Sequence, residues 1–292
     1  MRVTEGMNYQ TLLRDLAFGQ DRMQTAQNEV STGKKVTTPS DNPIAASDIV
    51  RLNTEGNVAD QYLKNLTFAQ AKLQIADTAL NSVEQMVERA RTLGQLSFGD
   101  TTSGSAYVAE LNGLRDQIIS TANTTHAGRY IFGGAITTTP PYVKNADSSV
   151  TYQGNSQYMP IQVTQNSTLQ TQVPGSEIFN GSVDIFSTMS DLATAIQAGD
   201  KTGIDAQVKK LTQFSDNVSV ARSKIGGWLN TATNIDSELS STGLTRKSEL
   251  SQAQDADLAT AITQLTMSQQ QLQATMAVGA RLSQLTILDY LK

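Results

Sequence analysis

Near its start the chain sets apolar or small residues at alternating three- and four-residue steps: Tyr9, Leu12, Leu16, Gly19, Met23, Ala26 and Val30. Near its end it does so again, with Leu258, Ile262, Leu265, Gln269, Leu272 and Met276, and Leu282 and Leu285 follow further along. Such spacing aligns side chains on one face of a helix, as in a coiled coil. Both ends of the chain are therefore expected to be helices that seek a partner. The residues expected to form subunit contacts are Leu12, Leu16, Met23 and Val30 at one end, and Leu258, Ile262, Leu265, Leu272, Met276, Leu282 and Leu285 at the other.

Proline placement divides what lies between, because an interior proline costs a helix about 3 kcal/mol. Pro39 and Pro43 form one cluster and Pro140, Pro141, Pro160 and Pro174 another, which leaves two long proline-free stretches. A first helix is predicted over residues 4–32, ending where Gly33 can turn left-handed and where Lys34 and Lys35 can face its last carbonyls. Asn42 followed by Pro43 reads as an N-cap and first turn, opening a second, very long helix. Its stripe runs Leu52, Gly56, Ala59, Leu63, Leu66, Gln70, Leu73, Ala76, Leu80, Val83, Val87 and Ala90. Val108, Leu111, Leu114, Ile118 and Ala122 predict a third helix.

From Tyr130 the period changes. SVTYQ, YMPIQVT and TLQTQV, separated by Gly, Asn and Pro, read as short strands. Helical spacing resumes near Ile185, breaks at AGDKTG, and runs again from Ile204 to Leu239, with Thr242-Gly243 expected to punctuate it before the last helix. The expected fold is mainly α: an elongated long-helix bundle or coiled coil formed by the N- and C-terminal regions, with a small β-rich inserted domain. Residues 1–40 and 255–292 would be assembly helices, 41–129 and 185–254 a helical rod domain, and 130–184 the insert.

Composition narrows function. The 292 residues are 38% hydrophobic and 5% aromatic, thin for a compact enzyme with a deep pocket. A net charge of -5 with scattered Lys and Arg argues against a nucleic-acid partner. The absence of cysteine removes disulfides and thiolate chemistry. The opening residues lack a secretory h-region and no run approaches a membrane span, so neither membrane insertion nor a cleaved signal is expected. His126 is the one histidine, and no Walker A, HExxH or EF-hand spacing occurs; GRYIFGGA has the wrong glycine spacing for a dinucleotide site. Asp255 and Asp257 read as helix-opening acids rather than as a catalytic pair, and Trp228 as a packing anchor. No cofactor, metal or catalytic activity is expected.

The segment STGKKVTTPSDNPIAAS, residues 31–47, resembles the signature that follows the first helix in the flagellin superfamily, and most closely in the hook-associated branch at the hook-filament junction. Flagellin itself usually lacks the P-S-D-N-P run seen here from Pro39 to Pro43. The start MRVTEGMNYQTLLRDL, the FGG, PYV and YQGN segments, QDADLATAI and the closing SQLTILDYLK are similar in the same order. The resemblance implies a structural subunit between hook and filament, extracellular, exported by the flagellar type III system without a cleaved signal. It also implies partners: itself in a ring-like homo-oligomer, a neighbouring hook-associated protein, flagellin, and a cytoplasmic export chaperone held through the C-terminal helix. A flagellin-like filament subunit is the alternative that the same resemblance allows.

Overall fold

The computed structural model describes the backbone of residues 5–99 and 103–290 and the side chains of residues 7, 9–99 and 103–281. Among these, helices α1 (Glu5–Thr32), α2 (Pro43–Ser97) and α3 (Gly104–Ala122) precede six short strands. The strands are β1 (Thr125–His126), β2 (Arg129–Tyr130), β3 (Tyr142–Lys144), β4 (Val150–Tyr152), β5 (Pro160–Thr164) and β6 (Ser167–Gln170). Helices α4 (Gly175–Ile178), α5 (Ile185–Ala198), α6 (Lys201–Gln254) and α7 (Leu258–Tyr290) follow. The chain divides into two units, Met1–Asn57 with Thr242–Lys292, and Val58–Ser241.

In the Val58–Ser241 unit the stripe on α2 is the spine of the core. Leu66, Leu73, Leu80, Val83 and Val87 are fully buried, and they join Leu111 and Ile118 of α3 and Leu211, Phe214 and Val218 of α6 in one cluster. Each such side chain contributes about 1.5–3 kcal/mol on leaving water. Arg222 of α6 spans to α2 by donating from Nε to Asp77 at 2.9 Å and from Nη1 to Glu84 at 2.7 Å.

The strands form three separate antiparallel hairpins, β1–β2, β3–β4 and β5–β6, the last with a register shift between Gln162 and Thr164. Two-stranded ribbons are marginal alone. These are held because Phe132, Tyr142, Val163 and Leu169 enter the same core as the helices. Tyr142 packs its ring 5.3 Å from Phe179 and 5.2 Å from Phe186, so the β-rich segment and α5 share an aromatic centre. Helix α5 starts on Asp184, whose carboxylate accepts from the N–H groups of Phe186 and Ser187, and stops at Gly199 with φ +67°.

One break falls elsewhere than the sequence suggests. Helix α6 runs unbroken through Thr242-Gly243, and through Gly226-Gly227 as well. An interior glycine costs only about 1 kcal/mol against alanine, and with no proline in this stretch that is too little to end a long helix. Among the described residues, no helix is long and apolar enough to cross a membrane.

Candidate assembly interface

In the terminal unit, α1 ends at Gly33, whose φ of +68° and N–H bond to the Glu29 carbonyl at 2.9 Å make a left-handed stop. Helix α6 ends close by. Ala256 N–H donates to the Gly33 carbonyl at 2.9 Å and Lys35 N–H to the Gln254 carbonyl at 2.8 Å, so the two helix ends are stitched by a short antiparallel bridge between Lys34 and Asp255. The Lys35 ammonium donates to the Gln252 carbonyl. It therefore caps α6 rather than α1, the helix it was expected to serve. Asp257 opens α7 by accepting from Ala259 N–H at 3.0 Å and from the Thr260 hydroxyl at 3.1 Å. The two acids near this break are thus turn and cap residues.

The loop that carries the P-S-D-N-P run is built on Asp41. Its carboxylate accepts from Thr38 N–H at 2.8 Å, the Thr38 hydroxyl at 2.7 Å and Thr37 N–H at 3.0 Å. These donors, Thr38 first, hold the carboxyl down at a pKa of about 2. Asn42 then caps α2, accepting from Ala45 N–H at 3.1 Å just ahead of the turn that Pro43 begins. Val36, Ile49 and Leu52 are buried beneath it.

From the bridge, α1 and α7 lie antiparallel against each other. The α1 stripe facing α7 is Leu12, Leu16, Gly19, Met23, Ala26 and Val30, all buried or half-buried. The opposing stripe on α7 is Ala261, Leu265, Ser268, Leu272, Thr275 and Gly279, again at four- and three-residue steps. Two glycines set the fit. A Cβ on Gly19 would lie 3.4 Å from the Leu272 side chain, and one on Gly279 only 2.9 Å from that of Leu12. Small residues let the two backbones approach closely, in the way knobs settle into shallow holes.

The contact residues expected from sequence therefore separate. Leu12, Leu16, Met23 and Val30 line the seam, opposed by Leu265 and Leu272. Leu258, Ile262 and Met276 do not: they are 49%, 53% and 50% exposed. The side chains of Leu282 and Leu285 lie outside the described residues. The packed positions that spacing missed are Ala261, Ser268, Thr275 and Gly279. Three of them sit one residue ahead of Ile262, Gln269 and Met276, the larger members of the expected stripe. A periodic run of small residues was the available signal.

As a result α7 has two stripes, one closed on α1 and one open. Met267 and Val278 join Leu258, Ile262 and Met276 among its exposed apolar side chains. Helix α1 leaves Met7, Tyr9, Leu13 and Phe18 exposed in the same way. The outer face of the pair thus carries several exposed large apolar side chains on both helices.

Residues 3–137 match the bacterial flagellin N-terminal helical region. The flagellar hook-associated protein 3 of Escherichia coli K12 is 29% identical, over 94% of this chain and 95% of its own length. The flagellin of Listeria monocytogenes is 21% identical over 84% of the chain and 82% of its own length. A solved flagellar hook-associated protein from Vibrio parahaemolyticus superposes with a TM-score of 0.69 at 23% identity, covering 74% of this chain and all of that one, which establishes the fold. With end-to-end likeness to the hook-associated protein exceeding that to flagellin, the chain is similar to flagellar hook-associated protein 3 along nearly its whole length and carries a bacterial flagellin N-terminal helical region over residues 3–137.

Proposed function

We propose that this chain is a structural subunit of the bacterial flagellum at the junction between hook and filament, and that it polymerises through α1 and α7. The observation that carries the reading is the two-striped α7. Its small residues close on α1, while its larger apolar ones stay exposed on a helix pair that a neighbouring subunit can cover. Burial of such side chains stabilises by about 1.5–3 kcal/mol each, enough for a few per subunit to order an axial polymer. Leu258, Ile262 and Met276 are the primary intersubunit candidates, and Leu12, Leu16, Met23, Val30, Leu265 and Leu272 hold the helix pair that presents them.

The partners that follow are further copies in a ring, a neighbouring hook-associated protein on one side and flagellin on the other. A cytoplasmic chaperone would cover the apolar face of α7 before export by the type III route. The role is non-enzymatic and the site extracellular. Electron microscopy of a deletion strain tests the junction role: intact hooks without filaments support it. Filaments of normal length on such cells would overturn it, and protein distributed along the filament would point instead to a flagellin-like subunit. Truncation after Gln254 should abolish a soluble chaperone complex, and persistence of the complex would remove α7 as its binding element.

A further inference from the structure

In the Val58–Ser241 unit, Lys72 of α2 is 5% exposed and its ammonium has a single hydrogen-bond partner, the Gln172 side-chain carbonyl at 2.6 Å. Gln172 is itself 1% exposed and donates onward to the Gly134 carbonyl. Among the described residues no carboxylate pairs with Lys72 or with Arg129, the cation nearest it. Burial, reinforced by the charge of Arg129, lowers the Lys72 pKa to about 8. An ammonium so placed has lost most of its water and gained one neutral acceptor, which leaves its charge uncompensated.

Lys72 lines a cavity of about 390 Å³, within the range of about 300–1,000 Å³ that small-molecule sites occupy. Phe68, Met159 and Ile161 form apolar walls, while His126 and Arg129 from the β1–β2 hairpin stand beside Lys72. The His126 ring packs 5.6 Å from that of Phe68. A buried ammonium and an exposed guanidinium, neither paired with a carboxylate among the described residues, border a cavity with apolar walls, and that combination is complementary to one kind of ligand. We infer that this cavity binds a small organic carboxylate with an aromatic or aliphatic body, its carboxylate held by Lys72 and Arg129 and its body against Phe68, Met159 and Ile161. A bare inorganic anion would leave the apolar walls unfilled, and a neutral apolar molecule would leave the charge unanswered.

Benzoate titrated into the full-length chain, followed by calorimetry or by ligand-observed NMR, is the test. Saturable binding is expected, weakened roughly tenfold or more by Lys72→Met and several-fold by Arg129→Gln, as loss of a charge-assisted hydrogen bond requires. The polar groups that line the cavity with Lys72 are His126, Arg129, Thr137 and Thr171, Gln172 accepts from its ammonium, and no acid is among them, so binding should weaken as pH rises above about 8 and the ammonium is lost. Absence of saturation, or equal affinity in wild type and Arg129→Gln, overturns the proposal. Arg129 is exposed, so that variant remains decisive should Lys72→Met fail to fold.

Discussion

Gly279 faces the end of the Leu12 side chain, 2.9 Å from where a Cβ would sit, so a small side chain there needs Leu12 to shift and a bulky one overfills the seam. Gly279→Leu should destabilise the α1–α7 pair by about 1–3 kcal/mol, the usual cost of overpacking, seen as faster hydrogen exchange in both helices while the Val58–Ser241 unit keeps its protection. Asp41 makes a second prediction, with a definite sign. Its folded pKa is depressed, so its contribution is complete above the ordinary carboxylate value of about 3.9 and is lost as pH falls through about 2. In an acid titration followed by NMR, the Thr38 amide should shift over that window in the wild type and show no such step in Asp41→Asn. At this scale the sequence was legible where chemistry is local: Asn42 and Pro43 declare a helix start by side chain and ring. It was illegible at Ala261, Ser268 and Thr275, because reading by hydrophobicity gives weight to size and these residues matter by being small.

Among the elements, α6 shows why glycine is poor punctuation without proline. Gly226, Gly227 and Gly243 lie inside it, with no atom within 4 Å of where a Cβ would sit. Gly226→Ala and Gly243→Ala should each therefore stabilise the chain by about 0.5–1 kcal/mol, measured as a higher denaturant midpoint at unchanged slope. A loss of stability at Gly243 would mean that the helix yields there after all. The long helices α2 and α6 were legible because their stripes persist over many turns, and α5 because Asp184 and Gly199 mark its ends. Strands β4, β5 and β6 were legible in SVTYQ, YMPIQVT and TLQTQV, but β1, β2 and β3 were not, nor was the arrangement as three separate ribbons. Their pairing is decided by which aromatic side chains reach the shared core, and sequence alone does not say that Tyr142 meets Phe179 and Phe186.

For the molecule as a whole, the proposed reading of α7, with one stripe closed on α1 and one open, would separate folding from assembly. Ile262→Ser combined with Met276→Ser alters only half-exposed side chains, so the melting temperature of the monomer should hold, such surface changes lying within about 0.5 kcal/mol each. Incorporation into flagella should nevertheless be lost, scored by swimming and by filament count. Normal filaments would show that the open stripe is not the contact. The pairing of first helix with last was legible in sequence because both ends carried the same period, whereas the face each turns to the other was not. The expected C-terminal stripe shares Leu265 and Leu272 with the packed one, but at Ile262, Gln269 and Met276 it lay one residue, or about 100° of helix, away.

That pairing also bears on when the terminal unit can exist. Helix α1 is made before α7, and the stitch between Lys34 and Asp255 joins residues with about three quarters of the chain between them. A chain broken off between Thr32 and Leu258 keeps α1 but lacks the α7 surface that closes it. If the paired face is what a neighbour covers, as proposed, a copy that lacks α7 would have nothing to offer it, and truncated copies would be left out of the polymer by geometry alone.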